Sequence, residues 1–405
     1  MEELKNFNLQ QGSVTSPQGF RACGIHCGIR YKRKDLAIIV SDKIARAAGV
    51  FTTNRFAAAP VHLSKQLIKK GFAQAIIINS GNANACTGQQ GFLDAKEMIF
   101  ITGKSLGIPA RNVLVASTGV IGVPLPMPVM RSGIKKAAKS LSRQGGVDAA
   151  HAIMTTDTRP KHLSVHFTIQ DKACSIGGIA KGSGMINPNL ATMIVAMTTD
   201  VNINFVLLQE ALRTVTKETF NALTVDGEMS TNDTVLLLAN GMSGNKEIVT
   251  KNKNYHTFLT ALKIISHAFT RELALDGEGA TKLIIVTVDH ARNNMDAFLV
   301  AKSIANSLLV KTAIYGNDPN WGRVISAIGA TGCVFNPKNV SIKFAGILVV
   351  SHGEPIEFDK SILQKSLNQK EIHIQVDLGE GKNRTSVYSC DLTPDYIRIN
   401  AAYCT

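Results

Sequence analysis

Short apolar runs that end in small, polar loops alternate with longer amphipathic stretches along this chain. Leu36 to Val40, Ala75 to Asn79 and Val113 to Ala116 read as strands, and Phe92 to Leu106 reads as a helix stopped by Gly107. Pro126 to Ser142 reads as a helix whose opening proline gives up an amide that a first turn leaves unbonded in any case. A short helix, Ala149 to Met154, leads to the hydroxyl-rich turn Thr155-Thr156-Asp157-Thr158, followed by alternating strands at Leu163 to Ile169 and Ala173 to Ile179. The pattern then repeats, with strands at Met193 to Met197, Thr234 to Ala239 and Leu283 to Val288 separated by helices at Phe205 to Ala222 and Tyr255 to Ala274. Such alternation restricts the chain to the α/β class, with helices packed on sheets. The remainder reads as a smaller α+β unit: helices at Met295 to Leu309 and Lys360 to Asn368, and strands at Ser341 to Phe344, Glu371 to Asp377, Thr385 to Cys390 and Asp395 to Asn400.

The stretch from Lys181 to Met197 is the one around which the rest is organised. Gly182, Ser183 and Gly184 make its loop pliable, Asn187-Pro188-Asn189 turn it, and it runs straight into an apolar strand. At the junction stands Thr192, preceded by the minimal side chain of Ala191. A β-branched residue opening a strand is ordinary. A Thr hydroxyl becomes a useful nucleophile only beside a base, and one solution is to free its own α-amine. That amine titrates near ~7.7–8.0, whereas a Lys amine near ~10.4 holds its proton at neutral pH. A loop that lets Thr192 attack the Ala191 carbonyl would therefore make a catalyst by cutting the chain.

Three further loops bear on the same chemistry. Asn79 to Gly88 is rich in residues that accept left-handed backbone angles. Ser117-Thr118-Gly119-Val120-Ile121-Gly122 ends a strand, where glycine permits close approach and a Thr hydroxyl can donate to an oxygen turning negative. Glu278 sits between Gly277 and Gly279, a bare backbone suited to reaching into a pocket or to a simple turn.

With 405 residues, 45% of them apolar and 18% charged, the chain is long enough for two or three packed units. It has no apolar run of membrane-spanning length, and Met1-Glu-Glu-Leu-Lys lacks the layout of a signal peptide, so a cytoplasmic protein is expected. Seven scattered cysteines fit free thiols, and Cys23 with Cys27 has no second ligand pair at zinc spacing, so no metal is expected. The net charge of +14 is lopsided. Residues 1–191 hold 24 Lys and Arg against 9 Asp and Glu, and residues 192–405 hold 20 against 21. A basic surface can serve nucleic acid, but no basic run here is interleaved with stacking aromatics. Arg30, Lys32, Arg33 and Lys34 read as a solvated turn, and a basic field also steers small acidic substrates.

The loop Lys181-Gly-Ser-Gly-Met-Ile-Asn-Pro-Asn-Leu-Ala-Thr-Met193 resembles the self-cleavage region of the ornithine acetyltransferase (glutamate N-acetyltransferase) family. The resemblance extends to Asn79 to Gly88, Ser117 to Gly122, Met154-Thr-Thr-Asp-Thr158, Asn232-Asp-Thr234, Asp276-Gly-Glu-Gly-Ala-Thr-Lys282, Asn320-Trp-Gly-Arg323 and the tail Ile399 to Thr405, in the family's order. It implies the layered α/β architecture shared with self-processing amidases, with a smaller α+β C-terminal domain. It also implies a cut into residues 1–191 and 192–405, the second piece completing the catalytic domain to about residue 285 before the C-terminal domain. The implied reaction moves acetyl from N2-acetylornithine to glutamate, in arginine biosynthesis, through an acetyl group on Thr192. Thr192 would be nucleophile, its freed amine the base, and Thr118 with Gly119 the oxyanion site. Substrate contacts carry over to Thr155, Lys181, Thr192, Glu278, Asn400 and Thr405. No cofactor is implied. Small-molecule substrates and an α2β2 heterotetramer of the two pieces are implied, without nucleic acid or membrane. No motif decides whether acetyl-CoA also serves as donor. A self-processing aminopeptidase or amidase would use the same Thr with water as acceptor.

Overall fold

Period-two burial on both faces explains why so many strands of this chain read as continuous apolar runs. In the computed structural model, which describes residues 6–187 and 193–402, nine strands form one large sheet. They are β1 (Asn8–Gln11), β2 (Phe20–Ile25), β3 (Leu36–Phe51), β4 (Phe72–Asn82), β5 (Val113–Val120), β6 (Lys161–Ile169), β7 (Lys172–Lys181), β8 (Ile194–Thr199) and β9 (Thr234–Ala239). Their order is β1-β6-β7-β8-β9-β3-β4-β5, with β2 against β3. In β8, Val195 and Met197 turn to one core while Ile194 and Ala196 turn to another, all of them buried. Ile76 and Ile78 of β4 likewise separate from Ala75 and Ile77. A central strand buried on both faces loses the alternation that marks a half-exposed one.

Helices cover both faces. The core under β8 is shared with α5 (Phe205–Glu218) and α6 (Lys253–Leu275), while α1 (Ala59–Leu67) and α4 (Gly146–Ile153) pack on the opposite side. Around β4 and β5, α2 (Gly88–Leu106) and α3 (Met127–Lys139) close the edge of the sheet. The α6 start is fixed by Asn252, whose side chain accepts from the amides of Asn254 and Tyr255.

A second, six-stranded sheet begins at Leu283. It comprises β10 (Leu283–Ala291), β11 (Ser341–Phe344), β12 (Ile347–Ser351), β13 (Glu354–Pro355), β14 (Glu371–Asp377) and β15 (Asn383–Cys390), in the order β13-β12-β11-β14-β10-β15. Against it lie α7 (Asn294–Asn306), α8 (Leu308–Tyr315), α9 (Trp321–Gly329) and α10 (Lys360–Leu367), with a core of its own. The chain is thus layered α/β with a smaller C-terminal unit. Among the described residues no single helix is long and apolar enough to cross a membrane, and the six described cysteines carry free thiols.

Two sequence expectations need correction. The helix read over Met295 to Leu309 is two helices, because Ser307 leaves the helical region and its side chain caps α8 by accepting from the Val310 amide. The strand read over Asp395 to Asn400 is instead the helix α11 (Pro394–Ala402). Thr393 starts it, its hydroxyl oxygen accepting the Asp395 amide at 3.2 Å, and Pro394 follows where a proline is tolerated.

Candidate active site

β7 and β8 lie side by side with Lys181 opposite Ile194, and β8 runs parallel to β9 with Ile194 opposite Thr234. Lys181 is thus the last residue of a strand rather than the head of a loop. At these strand ends lies a cavity of about 340 Å³. Thr118, Gly119, Lys181, Asp233, Glu278 and Asn400 line it, brought from five separated segments of sequence. Met193 also lines it, and its carbonyl accepts the Thr234 amide at 2.9 Å.

Thr118 and Gly119 lie near the end of β5, paired with Ser80 and Gly81 of β4. Gly119 has φ +135°, and a Cβ there would stand 2.3 Å from the Gly81 carbonyl carbon, so glycine is required. Lys181 Nζ donates to Thr118 Oγ1 at 3.4 Å, which leaves the hydroxyl proton to point elsewhere. Lys181 is buried, and burial pushes its ammonium below the ordinary lysine range against the opposing charge of Asp157.

A buried ionic cluster supports this wall. Lys161 Nζ donates to Asp157 Oδ1 at 2.7 Å and to Asp276 Oδ2 at 2.5 Å, with all three side chains withdrawn from solvent. Asp157 also accepts the amides of Thr155 at 3.0 Å and Gly182 at 2.8 Å. Asp276 accepts the Thr158 amide at 3.1 Å, and its carbonyl accepts Ser183 Oγ at 2.5 Å. One lysine therefore ties together the Thr155 turn, the loop after Lys181 and the Glu278 turn. Burial alone would raise the Asp157 carboxyl, but the charges of Lys161 and Lys181 outweigh it and hold the carboxyl well below its usual range.

Glu278 donates its amide to Ser183 O at 2.9 Å, and its carboxylate accepts Asn400 Nδ2 at 2.7 Å. Gly184 passes so close that a Cβ would fall 2.3 Å from Glu278 Oε2. The helical form of α11 matters here, since Tyr396 and Asn400 are one turn apart on the same face. Tyr396 OH donates to Asp226 Oδ2 at 3.4 Å. Asp226 in turn accepts the amides of Met185 at 2.5 Å and Ile186 at 2.8 Å, clamping the loop that leads to the proposed cut.

Asp233 is different in kind. It is 1% exposed, lines the cavity, and among the described residues its Oδ2 has no hydrogen-bond partner. Burial pushes its carboxyl well above the usual range, offset only in part by the Ser230 hydroxyl, the Lys181 charge and the Thr52 hydroxyl.

Of the residues singled out in sequence, Thr118, Gly119, Thr155, Lys181, Glu278 and Asn400 all line this one cavity. Ala191, Thr192 and Thr405 lie outside the described residues. Sequence reasoning missed Lys161, Asp226 and the particular state of Asp233. Asp233 stands inside the quoted Asn232-Asp-Thr234 motif, which was the available signal. Among the described residues no group of His, Cys, Asp and Glu could hold a metal ion.

Known proteins resemble this chain along nearly its whole length. The ArgJ family model matches residues 21–405. The chain is 48% identical over 401 residues to the arginine biosynthesis bifunctional protein ArgJ of Caldanaerobacter subterraneus, covering 98% of this chain and 100% of the relative. It is 49% identical to the protein of the same name from Oceanobacillus iheyensis, covering 98% and 97%. A crystal structure of ArgJ from Bacillus halodurans is 43% identical with a TM-score of 0.50, covering 52% of this chain and 98% of that one. The structure of ornithine acetyltransferase with ornithine from Mycobacterium tuberculosis is 41% identical with a TM-score of 0.44, covering 46% and 100%. With identity this high over nearly the whole length of both chains, the protein belongs to the ArgJ family.

Proposed function

We propose that this chain cuts itself between Ala191 and Thr192 and then transfers acetyl from N2-acetylornithine to glutamate through Thr192, in arginine biosynthesis. The observation that carries the reading is the single cavity lined by Thr118, Gly119, Lys181, Glu278, Asn400 and Met193, the residue bonded to Thr192. Family membership supports it, the relatives being named for arginine biosynthesis. That the Bacillus halodurans chain is nearly covered by half of this one is what a relative present as two pieces would give.

In the first half-reaction Thr192 Oγ attacks the acetyl carbonyl while its proton passes to the α-amine of Thr192. Negative charge then develops on the carbonyl oxygen, where the Thr118 hydroxyl and the Gly119 amide stabilise it. Collapse breaks the C–N bond, and the proton held on the α-amine goes to the departing ornithine. In the second half the glutamate amine attacks the ester carbonyl and Thr192 Oγ leaves with the proton. Lys181 suits the substrate carboxylate, and Glu278, held by Asn400, suits an ammonium; Thr155 lines the same pocket, and the family resemblance adds Thr405 as a substrate contact. A covalent stop lets one pocket receive two amines in turn. The steps use protein groups and substrates alone, without a cofactor. The relatives' name, bifunctional, supports acetyl-CoA as a second donor, since a thioester would acylate the same hydroxyl. The enzyme acts in the cytoplasm as an α2β2 assembly of its two pieces.

Mass spectrometry tests this directly. Incubated with N2-acetylornithine and no glutamate, the 192–405 piece should gain one acetyl group at Thr192, and glutamate should remove it. An unmodified Thr192, together with intersecting rather than parallel double-reciprocal lines, would mean direct transfer in a ternary complex.

A further inference from the structure

The amine that serves acetyl transfer does not exist until the chain is cut. In the precursor the nitrogen of Thr192 belongs to an amide, which accepts no proton at neutral pH. Self-cleavage therefore needs another group to handle the hydroxyl proton. We propose that the carboxyl of Asp233 is the proton relay for self-cleavage, an inference that rests on the proposed cut between Ala191 and Thr192.

Position comes first. Asp233 immediately precedes Thr234, whose amide donates to Met193 O at 2.9 Å, so it stands one residue from the start of β8. Thr192 is bonded to Met193 by sequence. Asp233 and Met193 line the same cavity.

Availability is the second observation. A buried polar oxygen without a partner costs free energy and calls for an explanation, and among the described residues that line this cavity Asp233 is the one that has such an oxygen. The neighbouring acids are occupied: Glu278 holds Asn400, Asp226 holds the Met185 and Ile186 amides, and Asp157 holds Lys161 and two amides. Lys181 is directed at Thr118. Asp233 lines the same space, and among the described residues its Oδ2 has no hydrogen-bond partner. Burial pushes this carboxyl well above the usual range, toward the neutral acid.

The chemistry balances. Thr192 Oγ attacks the Ala191 carbonyl carbon, forming a C–O bond. The nitrogen must gain a proton before the C–N bond breaks, and Oγ must lose one. Asp233 gives its proton to the nitrogen and takes the hydroxyl proton on the same oxygen, returning to the acid. The product is an ester between Ala191 and Thr192 with a free amine. Water hydrolyses that ester, releasing the Ala191 carboxylate, the Thr192 hydroxyl and one proton. From then on the new amine is the base.

The test is a cleavage time course on the full-length chain, followed by denaturing gel and N-terminal sequencing. Wild type should yield a second piece beginning Thr-Met-Ile-Val. Asp233→Asn, nearly the same shape but unable to relay, should cleave roughly 10²-fold more slowly or worse, the usual scale of lost acid–base assistance. Asp233→Ala should remain whole and then cleave at a rate that rises with added sodium formate, a small acid able to enter the vacated space. If Asp233→Asn matures as fast as wild type, the relay is wrong while the cut stands. If Asp233→Ala stays whole, unfolds at the wild-type temperature and ignores formate, Asp233 serves cleavage in some way other than passing a proton and the proposal falls. If wild type itself remains whole, the cut and the relay fall together.

Discussion

Two groups of buried carboxyls meet at this cavity, and they are built in opposite ways. Asp157 and Asp276 share the Lys161 ammonium and fill their remaining capacity with backbone amides and a hydroxyl, so each charge has a partner. Asp233 is as deeply buried, yet among the described residues one of its oxygens has no partner, and the Lys181 charge offsets burial only in part. The first arrangement fixes geometry, holding the turns that carry Thr155, Ser183 and Glu278. The second leaves a carboxyl that burial pushes toward its neutral form in the cavity that Met193 also lines. Satisfied buried charge gives shape, whereas an unsatisfied buried carboxyl gives reactivity at a cost in stability.

The contrast is broken most forcefully at Lys161. Lys161→Met would leave two carboxyls facing each other in the interior without their shared cation. Losing one member of a buried pair typically costs about 3–5 kcal/mol. Denaturant unfolding should register a loss of that size, with activity falling because three site segments lose their common anchor. A loss below about 1 kcal/mol would mean that the cluster is ornamental to the fold.

How far this was visible in sequence depends on what each residue needed from distant parts of the chain. Strands such as Thr234–Ala239 and Glu371–Asp377 were legible to the residue, because apolar runs bounded by polar loops carry their own signal. Thr118, Lys181 and Glu278 were legible through motifs. Lys161 was not: it is one charged residue opening a strand, and Asp276 lies 115 positions away. The tail misled for a local reason. Tyr396-Ile-Arg-Ile-Asn400 alternates as a strand would, yet the same residues place Tyr396 and Asn400 one helical turn apart, and the Thr393 cap decides between the two. Asp233 was inside a recognised motif, but the upward push on its carboxyl follows from burial, which sequence does not state.

A smaller and more local break falls on the oxyanion wall. Thr118 is half-buried, and among the described residues its hydroxyl makes no hydrogen bond beyond the long contact with Lys181. Thr118→Ala should therefore leave unfolding close to wild type while lowering kcat by roughly 10²–10³, the usual loss of one oxyanion donor. KM should barely move, since the interaction is made in the transition state. A variant with normal kcat and a raised KM would transfer Thr118 from the oxyanion site to substrate binding.

The subtlest test sets the two kinds of carboxyl against each other through pH. Asp157 is held below its unfolded value, so the native state loses its proton more readily than the unfolded chain. Its contribution to stability is present above the unfolded carboxyl range and is lost as pH falls through the folded value. Asp233 is held above its unfolded value, so between the two values the native state binds more protons than the unfolded chain. Its contribution runs the other way: stability declines as pH rises from the unfolded value, near 4, toward the folded one. Asp233→Asn removes that decline. Measured by denaturant midpoint with both chains carrying Thr192→Ala so that neither is cut, the Asp233→Asn chain should match the one with Asp233 near pH 4 and become progressively the more stable of the two as pH rises toward neutrality. Should the chain with Asp233 instead gain on Asp233→Asn over that range, the Asp233 carboxyl is ionised and partnered in the fold, and the difference between the two walls disappears.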